Sequence, residues 1–243
     1  MTDDMKLLHG DCFELMKDVP DGSVDMILTD PPYGVTYCKW DKVLPFAPMW
    51  EAFERIIKPN GCIAIFAREP FSSELVVSKR KMYRYELIWE KRKSTDFFNA
   101  RRKPMNIHEK IQIFYKTSPV YHPQKTQGTP YNNGYVRHKN ECFRAVYEYE
   151  NKNETGERFP TTILDFKKEC GLHPTQKPVP LLRWLIRSYT DAGDTVLDPF
   201  MGSGSTGVAC LSEGRRFIGI EREDTYFEVA KKRIEEAKSG LFD

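Results

Sequence analysis

Hydrophobic residues occur along the first part of the chain in short runs that alternate with helical spacings. Strands are predicted at 6–11, 24–28 and 62–67, and helices at 12–17 and 48–57. The run at 62–67 is too short for a helix and is typical of a strand buried on both faces. This order of strand, helix, strand, helix and strand predicts a parallel sheet with right-handed crossovers.

Alternating helix and strand patterns continue as far as residue 115 and return in the last part of the chain, after residue 178. Helices are predicted at 71–79, 179–189, 207–213 and 226–238, and strands at 85–91, 111–115, 195–198 and 216–221. Between 118 and 172 aliphatic residues become scarce, while Tyr, Asn, Gly, Lys and Glu dominate. We expect this region to be an insertion with little core of its own, either a recognition module or a surface excursion.

Composition limits the class of protein. The chain has 243 residues, of which 40% are hydrophobic and 30% charged, so it suits one domain with an embellishment. Its apolar runs fall short of the roughly 20 residues that a membrane span needs, and it begins with acidic residues unlike a signal peptide. We therefore expect a soluble, cytoplasmic protein without membrane contact. The six cysteines are scattered without a C-x-x-C pair, which indicates neither a zinc site nor a disulfide framework.

Positive charge is concentrated in one region, although the formal net charge is only +2. Between Lys79 and Lys103 ten Lys or Arg residues stand against three acidic residues, and Phe97 and Phe98 lie among them. A cluster of cations beside aromatic residues is expected of a surface that contacts nucleic-acid phosphates. The alternative is a solvated charged face without a partner.

The segment Leu28-Thr29-Asp30-Pro31-Pro32-Tyr33 ends the second predicted strand. Two consecutive prolines remove two backbone donors and hold the chain extended, so neither a helix nor a central strand can continue. The strand end then presents an edge rich in hydrogen-bond acceptors: the Asp30 carboxylate, nearby carbonyl groups and the flat face of Tyr33. Such an edge can bind an amino group.

A glycine-rich loop follows the strand at 195–198. Gly202, Gly204 and Gly207 form a G-x-G-x-x-G pattern before a helix, and Glu221 ends the next strand, 23 residues after Asp198. Glycines allow close backbone approach, the helix start supplies N–H donors, and the acid can bind ribose hydroxyls. This context predicts a nucleotide-type cofactor site, whereas the alternative is a tight turn that merely needs small residues.

An NAD-dependent oxidoreductase is one hypothesis for this loop. A dinucleotide fold places the loop at the start of two halves, but only 37 residues follow Thr206. Earlier strands must then complete the sheet, and the loop and the Asp30 segment would both open at the carboxyl ends of parallel strands.

These motifs together resemble the β-class amino-group DNA methyltransferases. The resemblance rests on Asp30-Pro31-Pro32-Tyr33, on HPTQKP at 173–178 and on VLDPFMGSGSTG at 196–207, with Gly10-Asp11 as a further element. It implies an α/β fold with a doubly wound, mostly parallel sheet of the Rossmann-like methyltransferase type in permuted order. The catalytic half would be 1–117, an inserted target-recognition region 118–172 and the cofactor-binding half 173–243.

The resemblance implies transfer of a methyl group from S-adenosylmethionine to N6 of a flipped-out adenine in DNA. The Asp30 carboxylate and the Pro31 carbonyl would accept the two amino hydrogens, with Asp30 as proton acceptor, and Tyr33 would stack on the base. Pro32 completes the catalytic tetrapeptide. Asp at its head favours adenine over cytosine N4. An N4-cytosine DNA methyltransferase, an RNA methyltransferase and, more remotely, the oxidoreductase are the alternatives.

The family pattern also implies the binding residues. Asp11 would contact the adenine of the cofactor, Glu221 its ribose, and Thr175 and Lys177 its carboxylate. The full predicted cofactor set is Asp11, Thr175, Lys177, Asp198, Phe200, Gly202, Gly204, Ser205, Thr206 and Glu221. The predicted DNA contacts are Lys93, Arg101, Arg102, Lys103, Arg137 and Lys139. The expected partner is double-stranded DNA, a homodimer is left open, and no metal is expected.

Overall fold

The computed structural model describes residues 4–34, 43–140, 145–169 and 176–240, and the side chains of 138–147 are outside this description. The predicted residue Thr175 and the side chain of Lys139 therefore lie outside the described part. The chain forms two compact units, Met1–His122 with Thr162–Asp243, and Pro123–Thr161.

The first unit contains a central sheet flanked by helices. Its first half holds β1 (Met5–His9), α1 (Cys12–Met16), β2 (Val24–Thr29), α2 (Phe46–Ile56), β3 (Ile57–Ala67), α3 (Phe71–Ser78), β4 (Tyr83–Thr95) and β5 (Asn106–Phe114). The second unit, a region between two parts of the first, holds β6 (Thr126–Gln127), β7 (Tyr131–Asn140), β8 (Ala145–Asn153) and β9 (Glu157–Arg158). The first unit resumes with β10 (Ile163–Asp165), α4 (Val179–Tyr189), β11 (Thr195–Asp198), α5 (Ser205–Ser212), β12 (Arg216–Glu221) and α6 (Asp224–Lys238).

Eight strands form the main sheet in the order β1-β12-β11-β2-β3-β5-β4-β10. All neighbouring pairs are parallel except those of β5, which is antiparallel to both β3 and β4. The predicted mostly parallel sheet is confirmed. The reversal of β5 follows from its short connection, because residues 96–105 join β4 to β5 with one 3₁₀ turn and no α-helix. A parallel neighbour needs a crossover of about a dozen or more residues.

Helices cover both faces of the sheet, so the fold is doubly wound as predicted. Met16, Phe53 and Leu75 from α1, α2 and α3 belong to one hydrophobic cluster, whereas Leu185 and Val208 represent α4 and α5 in the other. Strand β3 contributes to both. Its residues 62, 64 and 66 belong to the second cluster and 63, 65 and 67 to the first, which is the alternation of a strand buried on both faces.

The centre of the sheet contains a topological switch point. Strands β11 and β2 are parallel neighbours, with Val196 beside Met26 and Leu197 beside Ile27. The helices that follow them, α5 and α2, contribute to opposite hydrophobic clusters. The loops after β11 and β2 therefore diverge at the carboxyl ends of their strands, which opens a crevice of the kind that binds ligands in such sheets.

The second unit consists of two antiparallel strand pairs, β6 with β9 and β7 with β8. Cations lie over aromatic rings in this unit: the Arg158 guanidinium lies 4.8 Å from the centroid of the Tyr131 ring, and the Lys125 ammonium 5.3 Å from that of Phe159. The unit is narrower than the predicted insertion at 118–172, because β10 pairs with β4 in the main sheet. Within the described part of 123–161, no residue belongs to either hydrophobic cluster, which agrees with the scarcity of aliphatic residues there.

Among the described residues, no helix is long and apolar enough to cross a membrane. Cys12, Cys62 and Cys210 are buried free thiols, while the other three cysteines lie outside the described residues.

Candidate active site

Most of the predicted catalytic and cofactor-binding residues line one cavity of about 330 Å³ at the carboxyl edge of the sheet. The cavity is lined by the predicted residues Asp11, Asp30, Pro32, Lys177, Asp198, Phe200, Gly202, Ser205, Thr206 and Glu221. The glycine loop and the Asp30 segment, which are far apart in sequence, thus meet at the switch point. Pro31, Tyr33 and Gly204 are neighbours of lining residues but do not line the cavity themselves.

Asp30 follows the end of β2, and both of its carboxylate oxygens have partners. The Tyr33 hydroxyl donates to Oδ1, and the Lys177 ammonium donates to Oδ2. The Tyr33 ring is tilted against Phe71, with 5.3 Å between the ring centroids. Tyr33 therefore orients the Asp30 carboxylate through its hydroxyl, a contact that the sequence analysis did not predict.

Lys177 connects Asp30 to a second buried ion pair. Its Nζ lies 3.4 Å from Glu109 Oε2, and Glu109 Oε1 accepts from Lys91 Nζ at 2.5 Å. None of these four side chains is more than 18% exposed. Two carboxylates and two ammonium groups thus balance one another in a buried network, which reduces the cost of removing each charge from water.

Glu109 was missed by the sequence analysis, and Lys91 was wrongly counted with the surface cations. The missed signal was strand alternation, because Glu109 lies two and four residues from Ile111 and Ile113, which are both buried in one cluster. Residues at this spacing point to the same face of a strand. A charge in such a position needs a buried partner, and Lys91 on the neighbouring strand β4 supplies it.

Burial and neighbouring charges shift the pKa values of Asp30 and Glu109 in opposite directions. Burial raises the pKa of Asp30 against the opposing charge of Lys177, and the Glu109 charge raises it further. Burial also acts to raise the pKa of Glu109, but Lys177 and Lys91 outweigh it and lower that pKa to about 2. Burial acts to lower the pKa of Lys177, yet the two carboxylates hold it above its ordinary value. Asp30 is thus the acid that takes up a proton more readily.

The glycines of the loop have two different functions. Gly202 and Gly204 have φ angles of +50° and +77°, a left-handed conformation that favours glycine. Gly207 lies in α5, and a Cβ atom there would come within 2.5 Å of Ile234 Cδ1 and 2.9 Å of Phe217 Cε1. The first two glycines therefore shape the loop, and the third allows α5 to pack closely against β12 and α6.

Asp198 ties the glycine loop to β2. Its carboxylate accepts hydrogen bonds from Thr29 Oγ1 at 2.8 Å, from Thr206 Oγ1 at 2.6 Å and from the Phe200 backbone N–H at 3.1 Å. Burial raises the pKa of Asp198 to about 6, although these hydrogen bonds oppose the shift. The contacts favour an organising role for Asp198, since its oxygens are engaged within the loop and with β2.

Glu221 and Asp11, which both line the cavity, accept hydrogen bonds from backbone N–H groups. Glu221 Oε2 accepts from Gly202 N at 3.0 Å and its Oε1 accepts from Glu223 N at 2.8 Å. Asp11 Oδ1 caps α1 by accepting from Phe13 N at 2.9 Å. Both acids also face the cavity. Their use in cofactor binding remains a prediction.

Arg233 supports the loop from α6 and was not predicted. It is 6% exposed, and its guanidinium donates to Ser205 Oγ at 2.7 Å and to the Ser203 carbonyl at 3.3 Å. The spacing of residues along α6 could have indicated that Arg233 is buried, because it lies three residues after buried Ala230 and next to buried Ile234. Ser205 is therefore held by the protein on the side of α6.

The cavity fits S-adenosylmethionine in its chemistry and extent. Asp11, Glu221, Asp198 and Asp30 lie at the ends of β1, β12, β11 and β2, which are consecutive neighbours in the sheet. Three strand spacings correspond to about 14 Å, which suits an extended nucleoside joined to an amino acid. The first two acids would hold the nucleoside part, and Phe200 and Met201 supply apolar lining. In the part of the chain that the structure describes, no group of three or more His, Cys, Asp or Glu residues is placed to bind a metal.

The predicted DNA contacts lie in two places. Lys93, Arg101, Arg102 and Lys103 are exposed in and beside the connection from β4 to β5, with Lys103 paired to Asp96 at 2.5 Å. In the second unit, Arg137 Nε lies 2.9 Å from Glu148 Oε1 on the neighbouring strand, and Arg137 remains exposed. Their contact with DNA remains a prediction.

Known proteins identify the family of this chain. The family model described as DNA methylase, N6_N4_Mtase, matches residues 24–232. The chain is 29% identical to the Type II methyltransferase M.HpaI of Haemophilus parainfluenzae, over 98% of this chain and 76% of that protein. It is 31% identical to the Type II methyltransferase M2.DpnII of Streptococcus pneumoniae, over 95% of this chain and 90% of that protein.

A solved structure supports the same relationship. The crystal structure of the M1.HpyAVI–SAM complex superposes with a TM-score of 0.67 and 29% sequence identity, covering 95% of this chain and 98% of that chain. The predicted resemblance is confirmed, and it decides against the oxidoreductase alternative for the glycine loop. The chain belongs to the family of N6/N4 DNA methylases, which use S-adenosylmethionine as methyl donor.

Proposed function

We propose that this DNA methylase methylates the N6 amino group of adenine in double-stranded DNA at a specific short sequence. The observation that carries the proposal is the position of Asp30. Its carboxylate lies at the end of β2, lines the cavity beside the glycine loop and is held by Tyr33 and Lys177. A fixed carboxylate at this point can receive an amino group from a base that leaves the duplex.

The residues can act on a weakly nucleophilic amine. The lone pair of adenine N6 is delocalised into the ring, so acceptors for both amino hydrogens favour attack by stabilising a pyramidal nitrogen. Asp30 and the Pro31 carbonyl are the proposed acceptors. S-adenosylmethionine supplies the methyl group, whose bond to sulfur breaks as the bond to N6 forms. The amine then loses a proton, and Asp30 is the proposed acceptor because its pKa is raised while that of Glu109 is lowered.

Lys177 has a proposed role in orienting Asp30. Its ammonium contacts Asp30 and Glu109 at once, so it fixes the position of Asp30 and favours the ionised carboxylate before the base arrives. The binding of the cofactor carboxylate by Lys177 and Thr175 is a separate prediction from the family pattern. Thr175 is outside the described residues.

Asp at the head of the tetrapeptide favours adenine over cytosine as the substrate. Both bases offer an exocyclic amine with two hydrogens, so N4 of cytosine is the second candidate. The proposed test uses tritium-labelled S-adenosylmethionine and unmethylated plasmid DNA, followed by digestion to nucleosides and chromatography. We expect the label in N6-methyladenine, whereas label in N4-methylcytosine would assign the other base. Absence of label in DNA would contradict the activity. Sequencing of the methylated bases identifies the target site.

A further inference from the structure

The connection between β4 and β5 exposes two aromatic side chains to solvent. Phe97 is 76% exposed and Phe98 is 98% exposed. Large apolar side chains exposed to this degree are unfavourable in water, and in a group they often mark an interaction surface. Met105, at the end of the same connection, and Ile107, near the start of β5, are also exposed. We call residues 96–105 the aromatic loop.

The aromatic loop is held by its own hydrogen bonds. Asp96 has a φ angle of 70°, and its carboxylate accepts from Asn99 Nδ2 at 2.5 Å and pairs with Lys103 Nζ at 2.5 Å. Phe97–Asn99 forms a 3₁₀ turn, in which Ala100 N donates to the Phe97 carbonyl at 3.0 Å. The two phenyl rings are therefore presented by a defined turn, which lowers the conformational cost of using them in binding.

Sheet topology places the aromatic loop at the same edge as Asp30. Strand β4 runs parallel to β2 and β3, because both β3 and β4 are antiparallel to β5. Glu109 on β5 is linked to Asp30 through Lys177. It lies three residues from Asn106, where the aromatic loop meets β5, and three residues of strand span about 10 Å. The end of the aromatic loop therefore lies close to the site that would receive the base.

Charge indicates the kind of partner. Lys93, Arg101 and Arg102 are exposed in or beside the aromatic loop. Cations suit a phosphate backbone, and an exposed aromatic ring among them suits insertion between bases. A purely apolar protein partner would not explain this density of positive charge. Double-stranded DNA is therefore the occupant that the surface fits.

We propose that Phe98 inserts into the DNA base stack beside the target adenine and occupies the space that the flipped base leaves. This inference rests on the proposed function. Flipping costs stacking and pairing energy, which an inserted aromatic side chain can partly replace. Phe98 is the candidate because it is the more exposed of the two phenylalanines. Its action is on base flipping and not on the methyl transfer itself.

The test compares two duplex oligonucleotides that carry the target sequence found by sequencing methylated bases. One pairs the target adenine with thymine, and the other places an abasic site opposite it, which lowers the cost of flipping. Single-turnover methylation is measured for wild type, Phe98→Ala, Phe98→Trp and Val77→Ala. Val77 is an apolar control residue on α3 that is 76% exposed. Calorimetry of S-adenosylmethionine binding checks that each variant is folded.

For Phe98→Ala we expect a rate loss on the order of tenfold or more on the paired duplex and wild-type rates on the abasic duplex. Phe98→Trp and Val77→Ala should match wild type on both duplexes. Equal losses of Phe98→Ala on both duplexes, or no loss on either, would overturn the proposal. If wild type methylates neither duplex nor plasmid DNA, the proposed function fails instead, so the two failures can be distinguished.

Discussion

Lys177 donates a hydrogen bond to the Asp30 carboxylate, although 147 residues separate them in the sequence. The pair joins two of the three motifs on which the family resemblance rests, the tetrapeptide that begins at Asp30 and the HPTQKP segment. Glu109 and Lys91 extend it into a buried network. Removal of one member leaves an uncompensated charge in the interior, which is costlier than the intact network.

Lys177→Met should therefore impair both stability and catalysis. Asp30 and Glu109 would lose their shared cation, and we expect a loss of roughly 3 to 5 kcal/mol in the free energy of unfolding. Methyl transfer should fall on the order of a hundredfold. Urea unfolding and single-turnover methylation measure the two effects. The matched control is Lys232→Met, since Lys232 is 78% exposed on α6. A Lys177→Met variant as stable and active as this control would show that the network is dispensable.

Glu109 should contribute stability that is lost in acid. Its pKa is lowered from 4.5 to about 2 in the folded protein, so its stabilising contribution is present above pH 4.5 and disappears as the pH falls toward 2. Glu109→Gln should be less stable than wild type at pH 7, and the gap should narrow on acidification below pH 4.5. Denaturant midpoints at several pH values check this. A Glu14→Gln control, on an exposed side chain, should show no such gap. A difference in stability that is independent of pH would contradict the lowered pKa of Glu109.

Asp198 should contribute stability that is lost as the pH rises, which is the reverse of the pH dependence expected for Glu109. Its pKa is raised from 3.8 to about 6 by burial, so the folded protein retains a proton that the unfolded chain loses between these values. The contribution of Asp198 to stability is thus full below pH 3.8 and falls as the pH rises through 6. Relative to wild type, Asp198→Asn should gain stability as the pH is raised from 4 toward 7. Unfolding curves at these pH values measure the trend, and a relative loss with rising pH would contradict it.

The features that follow from local pattern could be predicted. Helix α4 was predicted at its observed limits, because apolar residues recur at helical spacing after Pro178. The glycine loop was recognised from its position between a strand and a helix. Both belong to short segments whose sequence alone restricts the backbone, and the family and enzyme class predicted from these motifs are confirmed.

The missed features depend on contacts between distant segments. The Lys91–Glu109 pair joins two strands, and its link to Lys177 requires the fold that brings residue 177 to the sheet edge. Arg233 similarly reaches Ser205 from another helix. A single sequence shows that these residues are charged. It does not show which partner compensates each charge after burial.

We propose that Asp30 accepts a hydrogen bond from the target amino group and then its proton during methyl transfer. The most direct test is single-turnover methylation of a target duplex by Asp30→Ala, with calorimetry of S-adenosylmethionine binding as the control for an intact cofactor site. We predict that the rate falls by at least about a hundredfold while the cofactor still binds. A rate within a few fold of wild type, with the cofactor bound, would contradict this role of Asp30.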